Sequence, residues 1–129
     1  MRRFDDFCKA LDHAMEIYKH SEPYDAVELV GMVGLFEICF EQSWKAMKEV
    51  LEYAGFSESR TGSPRQILKT AYQARLIDDE NLWLDALVMR NHAAHAYNEA
   101  MAMKVIEEAR ERFIPMFTCL KDEIKEHWL

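Results

Sequence analysis

Residues 25–55, DAVELVGMVGLFEICFEQSWKAMKEVLEYAG, decide the fold. They read as one long helix from about Asp25 to Ala54, closed by Gly55 in a left-handed cap. The first half is apolar nearly all round: Val27, Leu29, Val30, Met32, Val33, Leu35, Phe36, Ile38, Cys39 and Phe40. A helix without a polar face belongs at the centre of a bundle or in an interface between chains. Gly31 and Gly34 permit a neighbouring helix to approach closely. Glu37 and Glu41, one turn apart, interrupt the apolar surface, and Trp44 and Lys45 follow. Glu41 with Lys45, and Lys48 with Glu52, have the spacing of helix ion pairs. Glu37 and Glu41 read either as a carboxylate pair facing a cationic ligand or as a plain exposed polar stripe.

The flanking segments supply partners for this helix. Phe4, Phe7, Cys8, Leu11, Met15 and Tyr18 recur at helical spacing with acids and lysine between them, so an amphipathic helix ends near Lys19-His20. A polar stretch, residues 56–63, leads to Ser63-Pro64-Arg65-Gln66, an N-cap, a first-turn proline and a Gln that completes a capping box. The helix it opens runs to about Arg75. Arg60, Arg65, Lys69 and Arg75 make this part basic, and the helix start beside Arg65 reads either as a phosphate site or as an ordinary capped helix. Asp78, Asp79 and Glu80 place acids at the positive end of a fourth helix, which is apolar over most of its circumference through Met89. Asn98 caps a last long helix carrying Val105, Ile106, Ala109, Phe113, Met116, Phe117, Leu120 and Ile124, with a kink expected at Pro115. About five helices in one domain, residues 1–129, give an all-α bundle.

Composition limits the function classes. Half of the 129 residues are hydrophobic, with four glycines and three prolines, which suits helices better than many-turned sheets. A net charge of −7 argues against a general nucleic-acid coat, so any RNA contact must be local, at a basic patch. Cys8, Cys39 and Cys119 are odd in number, widely spaced and in apolar surroundings, as expected of small core residues in a reducing, cytoplasmic setting. The start, MRRFDDFCKA, lacks the apolar stretch of a signal peptide, and the longest apolar run, Leu29 to Phe36, is too short to span a bilayer. No GxGxxG or P-loop occurs. Gly62-Ser63 is the kind of pair that opens a nucleotidyltransferase site, but no Asp-x-Asp follows to hold magnesium.

The fourth helix ends in Arg90-Asn91-His92-Ala93-Ala94-His95-Ala96-Tyr97. An arginine that can fork a phosphate, an amide, two imidazoles and a phenol lie among alanines too small to cover them. On a straight helix Arg90 and His95 point about 140° apart with a rise of about 7.5 Å. Either the helix ends near His95, or a second copy of the chain completes the site. In the plainer reading Arg90 pairs with a carboxylate and His95 is a hydrogen-bonded, half-buried side chain. His92, His95 and Glu99 have the spacing of a two-His, one-carboxylate metal site, but no other ligand cluster supports one, and no metal is assigned.

Phe36-Glu37-x-x-Phe40-Glu41-x-x-Trp44-Lys45, Ser63-Pro64-Arg65, the Leu76-Ile77-Asp78 turn, Trp83 and Arg90-Asn91 together resemble the nucleotidyltransferase substrate-binding protein family. That family is a branch of the HEPN superfamily, related to the C-terminal helical domain of kanamycin nucleotidyltransferase. The resemblance implies an up-and-down four-helix bundle with an added helix, a homodimer, and a separately encoded minimal nucleotidyltransferase that brings the catalytic carboxylates with ATP and magnesium. The candidate substrate-binding residues are Glu37, Glu41, Lys45 and Arg65. Many HEPN proteins are metal-independent ribonucleases marked by Arg-polar-x(3)-His, which Arg90, Asn91 and His95 match. In one toxin branch a following His-x-Tyr tyrosine receives AMP from the nucleotidyltransferase acting as antitoxin, and His95-Ala96-Tyr97 matches that pattern.

Overall fold

The computed structural model describes residues 1–56, 62–95 and 97–129. The expectations for Arg60 and most of the 56–63 stretch lie outside the described residues. Helix α1 (Arg2–Ala14) runs into a 3-10 stretch, Met15–Lys19; then come α2 (Ala26–Tyr53), α3 (Pro64–Gln73), α4 (Glu80–His95), α5 (Glu99–Glu108), a π-helical stretch, Ala109–Phe113, and α6 (Ile114–His127). No strand occurs among the described residues.

Helix α2, about 42 Å long at 1.5 Å per residue, packs against α1, α3, α4 and α5. Its ends are set by local chemistry. The Asp25 carboxylate accepts from the Glu28 N–H at 2.8 Å while Glu28 accepts from the Asp25 N–H at 3.0 Å, a reciprocal capping box. That bond, with the one from His20, holds the Glu28 carboxyl below its ordinary range. At the other end Gly55 adopts φ +91°, with Phe56 N–H donating to Leu51 O and Gly55 N–H to Glu52 O, a Schellman motif. Helix α3 closes with the same two bonds, Leu76 to Ala71 and Arg75 to Tyr72, but the left-handed residue is Arg75 at φ 64°. A residue with a Cβ costs about 1–2 kcal/mol there. At the start of α3 the Ser63 hydroxyl accepts from Gln66 N–H, which is half of the expected box.

The irregularity expected at Pro115 takes the form of the π-helical stretch before it. Proline lacks an N–H and its ring presses on the carbonyl one turn back. The widened turn lets α6 restart at Ile114, so Pro115 falls in its first turn, where no N–H is needed. Arg110, in the π stretch, donates to the Ile17 and His20 carbonyls, and the Tyr18 hydroxyl donates to the Arg110 carbonyl. These bonds tie the end of the first helical segment to the last one.

The buried side chains form one contiguous core. At its centre Phe36 stacks on Phe113 at 5.4 Å between ring centroids and meets Phe40 and Phe117. Trp83 is buried against Phe40 and Phe117, whereas Trp44 is only half-buried. The cysteines divide: Cys39 lies in the core, its thiol pushed far up by burial, Cys8 is half-buried, and Cys119 is exposed. Expecting all three in the core misplaced Cys119, which lies on the outer side of α6.

The face of α2 that the apolar run left undecided is also settled. Val27, Val30 and Ile38 are 82%, 58% and 55% exposed, and a Cβ built on Gly31 or Gly34 meets nothing within 4 Å. The close helix approach expected at these glycines is therefore not made among the described residues.

Candidate functional site

Helix α4 is started by the Asp79 carboxylate, which accepts from the Leu82 N–H at 3.0 Å. Its buried stripe is Trp83, Ala86 and Leu87. Arg90 continues that stripe, seven residues after Trp83 and three after Leu87, so its stem is drawn inward toward α2. Its guanidinium lies over the Phe40 ring, 5.5 Å from the centroid. Nη2 donates to Glu41 Oε2 at 3.1 Å and Nη1 to Asn91 Oδ1 at 3.2 Å, and the side chain is 24% exposed. Nε is buried and has no hydrogen-bond partner among the described residues.

Glu41 is the hub. The same Oε2 accepts from Trp44 Nε1 at 3.1 Å, and Oε1 stands 3.5 Å from Lys45 Nζ. One carboxylate thus faces two cations and an indole N–H. Since Glu41 is more than a third exposed, such a pair contributes at most about 1 kcal/mol; its consequence is orientation. Glu41 and Lys45 pair as their spacing predicts. Lys48 and Glu52 do not pair, and no described residue forms an ion pair with Glu37, which is half-buried one turn before Glu41.

Of the other candidates, Asn91 is bonded into this cluster through Arg90, while His95, Tyr97 and Arg65 make no bond to it. Asn91 is half-buried and bonded to Arg90. His95 is exposed in the last turn of α4 and makes no hydrogen bond with a described residue, so the half-buried, bonded alternative for it does not hold. Tyr97 lies between α4 and α5, 52% exposed, just before Asn98, whose side chain caps α5 through Met101 N–H. Arg65 is exposed in the first turn of α3 and makes no ion pair with a described residue. Among the described residues no group of three His, Cys, Asp or Glu side chains is gathered to hold a metal ion, so His92, His95 and Glu99 do not form one.

The plainer reading that Arg90 pairs with a carboxylate holds; that the carboxylate is Glu41, 49 residues away, was not legible in the sequence. The signal available was the position of Arg90 on the buried stripe of α4, which points it at whatever carboxylate α2 offers. With wheel positions of about 100° per residue, Val27, Val30, Gly31, Gly34, Ile38, Glu41, Trp44, Lys45 and Lys48 all fall on one outward side of α2. That side is apolar in its first half and charged in its second, and Arg90 meets it at the junction.

The family model described as nucleotidyltransferase substrate binding protein like matches residues 2–126. A crystal structure of a protein from Thermus thermophilus has the same fold, with a TM-score of 0.71 and 24% identity over 92% of this chain and 95% of that one. No curated protein matches the chain.

Proposed function

The chain belongs to the nucleotidyltransferase substrate binding protein like family, and we propose that it is the helical partner subunit of a two-component module whose other member is a separately encoded minimal nucleotidyltransferase. The observation that carries this reading is a family match over nearly the whole chain in a sequence with no Asp-x-Asp to hold magnesium. The metal-holding carboxylates, with ATP and magnesium, then come with the partner, and the assembly works in the cytoplasm. No helix among the described residues is long and apolar enough to cross a membrane. Arg90, Glu41 and Lys45 supply the polar end of the substrate-binding surface, with Glu37 one turn back and Arg65 as an outlying anion contact. Co-expression with a small protein carrying Gly-Ser and Asp-x-Asp should yield a complex that co-purifies through a tag on either member; two proteins that never elute together overturn the reading.

We also propose a homodimer built on the outward side of α2. An exposed apolar stripe with two glycines in it is the kind of surface that a second helix covers, and a second copy seated there would carry its own Arg90 and His95 to the junction. Light scattering should give twice the chain mass of 15.2 kDa. Ile38→Glu should return it to the monomer mass without unfolding, because the side chain is already exposed. A monomeric wild-type protein at micromolar concentration contradicts the dimer.

A second reading is favoured by the exposure of His95 and Tyr97. In it the dimer is a metal-independent ribonuclease toxin: Arg90 binds the scissile phosphate, His95 acts as acid or base, Asn91 orients Arg90, and AMP transfer to Tyr97 silences the site. General acid–base catalysis contributes about 10²–10⁴-fold. RNA cleavage should therefore persist in EDTA and fall by that factor in His95→Ala. Cleavage unchanged in His95→Ala and Arg90→Ala proteins would belong to something else.

A further inference from the structure

A cavity of about 260 Å³ lies where the turn between α3 and α4 meets α6. Leu76, Leu82, Trp83, Met116 and Leu120 give it an apolar lining, and Arg75, Asp78, Asp79 and Glu123 give it charges of both signs. We propose that this cavity binds a free amino acid with an apolar side chain. The carboxylate lies on Arg75, the ammonium between Asp78 and Glu123, and the side chain against Trp83, Met116 and Leu120. The site is separate from the Glu41 cluster and does not rest on the two-component reading.

Arg75 is the first support. It holds a left-handed conformation, φ 64°, at a position where glycine would serve without steric cost. The chain thus keeps a long cationic side chain where the backbone alone asks for none, and that residue borders the cavity. Backbone held in such conformations concentrates at ligand sites. Arg75 is exposed and forms no ion pair with a described residue, so its planar fork is open to a carboxylate.

The acids define the other end. Asp78 is exposed and forms no ion pair with a described residue. Asp79 Oδ1 accepts from the Leu82 N–H at 3.0 Å and Glu123 Oε2 from Trp128 Nε1 at 3.1 Å, which orients both carboxylates and leaves each a second oxygen. Three carboxylates beside one guanidinium disfavour a plain anion. A molecule that carries an ammonium as well as a carboxylate complements both signs. A residue inside a polypeptide lacks one or both of these charges, so the two-signed lining selects the free amino acid. The apolar lining selects the side chain. Leu76, Trp83, Met116 and Leu120 belong to the packed core, so the wall they form is fixed. A volume near the lower end of small-ligand sites, about 300 Å³, suits a ligand of one residue. Trp83 also meets Phe40, on which Arg90 rests, so the cavity and the Arg90 cluster share an aromatic wall.

The test is a calorimetric titration of the intact chain with four probes: L-leucine, glycine, leucinamide and N-acetylleucine. Leucine should bind saturably, with Kd below about 1 mM. Glycine should bind roughly 10- to 150-fold more weakly, the worth of a buried leucine side chain. Leucinamide, without the carboxylate, and N-acetylleucine, without the ammonium, should each bind at least about tenfold more weakly. A second readout is the thiol at the cavity: Cys119 is exposed, whereas Cys8 is half-buried and Cys39 buried. Saturating leucine should slow alkylation of Cys119 by iodoacetamide, and Cys119→Ser should remove the fast-reacting thiol. Arg75→Gly separates binding from folding. Glycine relieves the left-handed conformation, so the melting temperature should hold or rise, while leucine affinity should fall at least about tenfold. Asp78→Asn, at an exposed position, should weaken leucine likewise and leave the melting temperature unchanged. Neither heat nor protection of Cys119 at about 10 mM leucine overturns the proposal. So does glycine or leucinamide binding as tightly as leucine, or leucine affinity unchanged in Arg75→Gly. No partner takes part, so failure here is distinct from failure of the two-component reading.

Discussion

Phe36→Ala should cost about 3–5 kcal/mol of unfolding free energy, the range for truncating a buried aromatic. The ring is 1% exposed and touches three other aromatic rings from two different segments, Phe40 on its own helix and Phe113 and Phe117 on the last rod. Removing it takes away its own transfer free energy and leaves a hole that rigid neighbours cannot close. For a chain of this size the melting temperature should fall by roughly 10–20 °C. The change has a functional echo, because Phe40, which rests against Phe36, is the platform under Arg90. Tyr53→Ala is the control: that side chain is 80% exposed and lies off the outward side of α2, and surface changes stay within about 0.5 kcal/mol. Urea unfolding of both variants, with the slope checked against wild type, decides. A loss below about 1 kcal/mol for Phe36→Ala contradicts the placement of that ring at the centre.

Incubated with its partner nucleotidyltransferase, ATP and magnesium, the chain should gain the mass of one AMP, and Tyr97→Phe should gain none. The phenol is half-exposed on the connection between α4 and α5 and its hydroxyl makes no hydrogen bond with a described residue. A tyrosine packed into the core with its hydroxyl on a backbone carbonyl, the ordinary alternative, is not what the structure has. In the transfer the Tyr97 oxygen attacks the α-phosphorus of ATP, pyrophosphate leaves, and the phenolic proton passes to solvent or to a base of the partner. On the ribonuclease reading proposed above, the product would place a phosphodiester anion two residues from His95, there to compete with RNA for Arg90. Intact-mass measurement reads the result directly. No mass gain, or a gain that persists in Tyr97→Phe, removes the modification.

The parts of the fold that local chemistry dictates were legible. The start of α2 and its Gly55 end, the Ser63 cap, the Asp79-led start of α4 and the Asn98 cap each rest on a residue within a few positions of the backbone group it satisfies. What the chain decides at long range was not. Helix α2 is apolar all round, so only its packing reveals that Val27, Val30 and Ile38 face outward while Phe36 and Phe40 face in. The left-handed end of α3 falls on Arg75, where no glycine announces it. Pro115 announced an irregularity but not that a π turn ahead of it would absorb the strain. At the site, Arg90 could be named from its neighbours in sequence, but Glu41 and Phe40 are brought to it by packing of α4 on α2.

The central claim is that this chain functions as one half of a pair. Light scattering on a mixture of the purified chain and its purified cognate minimal nucleotidyltransferase, at micromolar concentration, tests that most directly. One species heavier than either protein alone, containing both chains, is the expected result; two species that each keep the mass they have in isolation would contradict it.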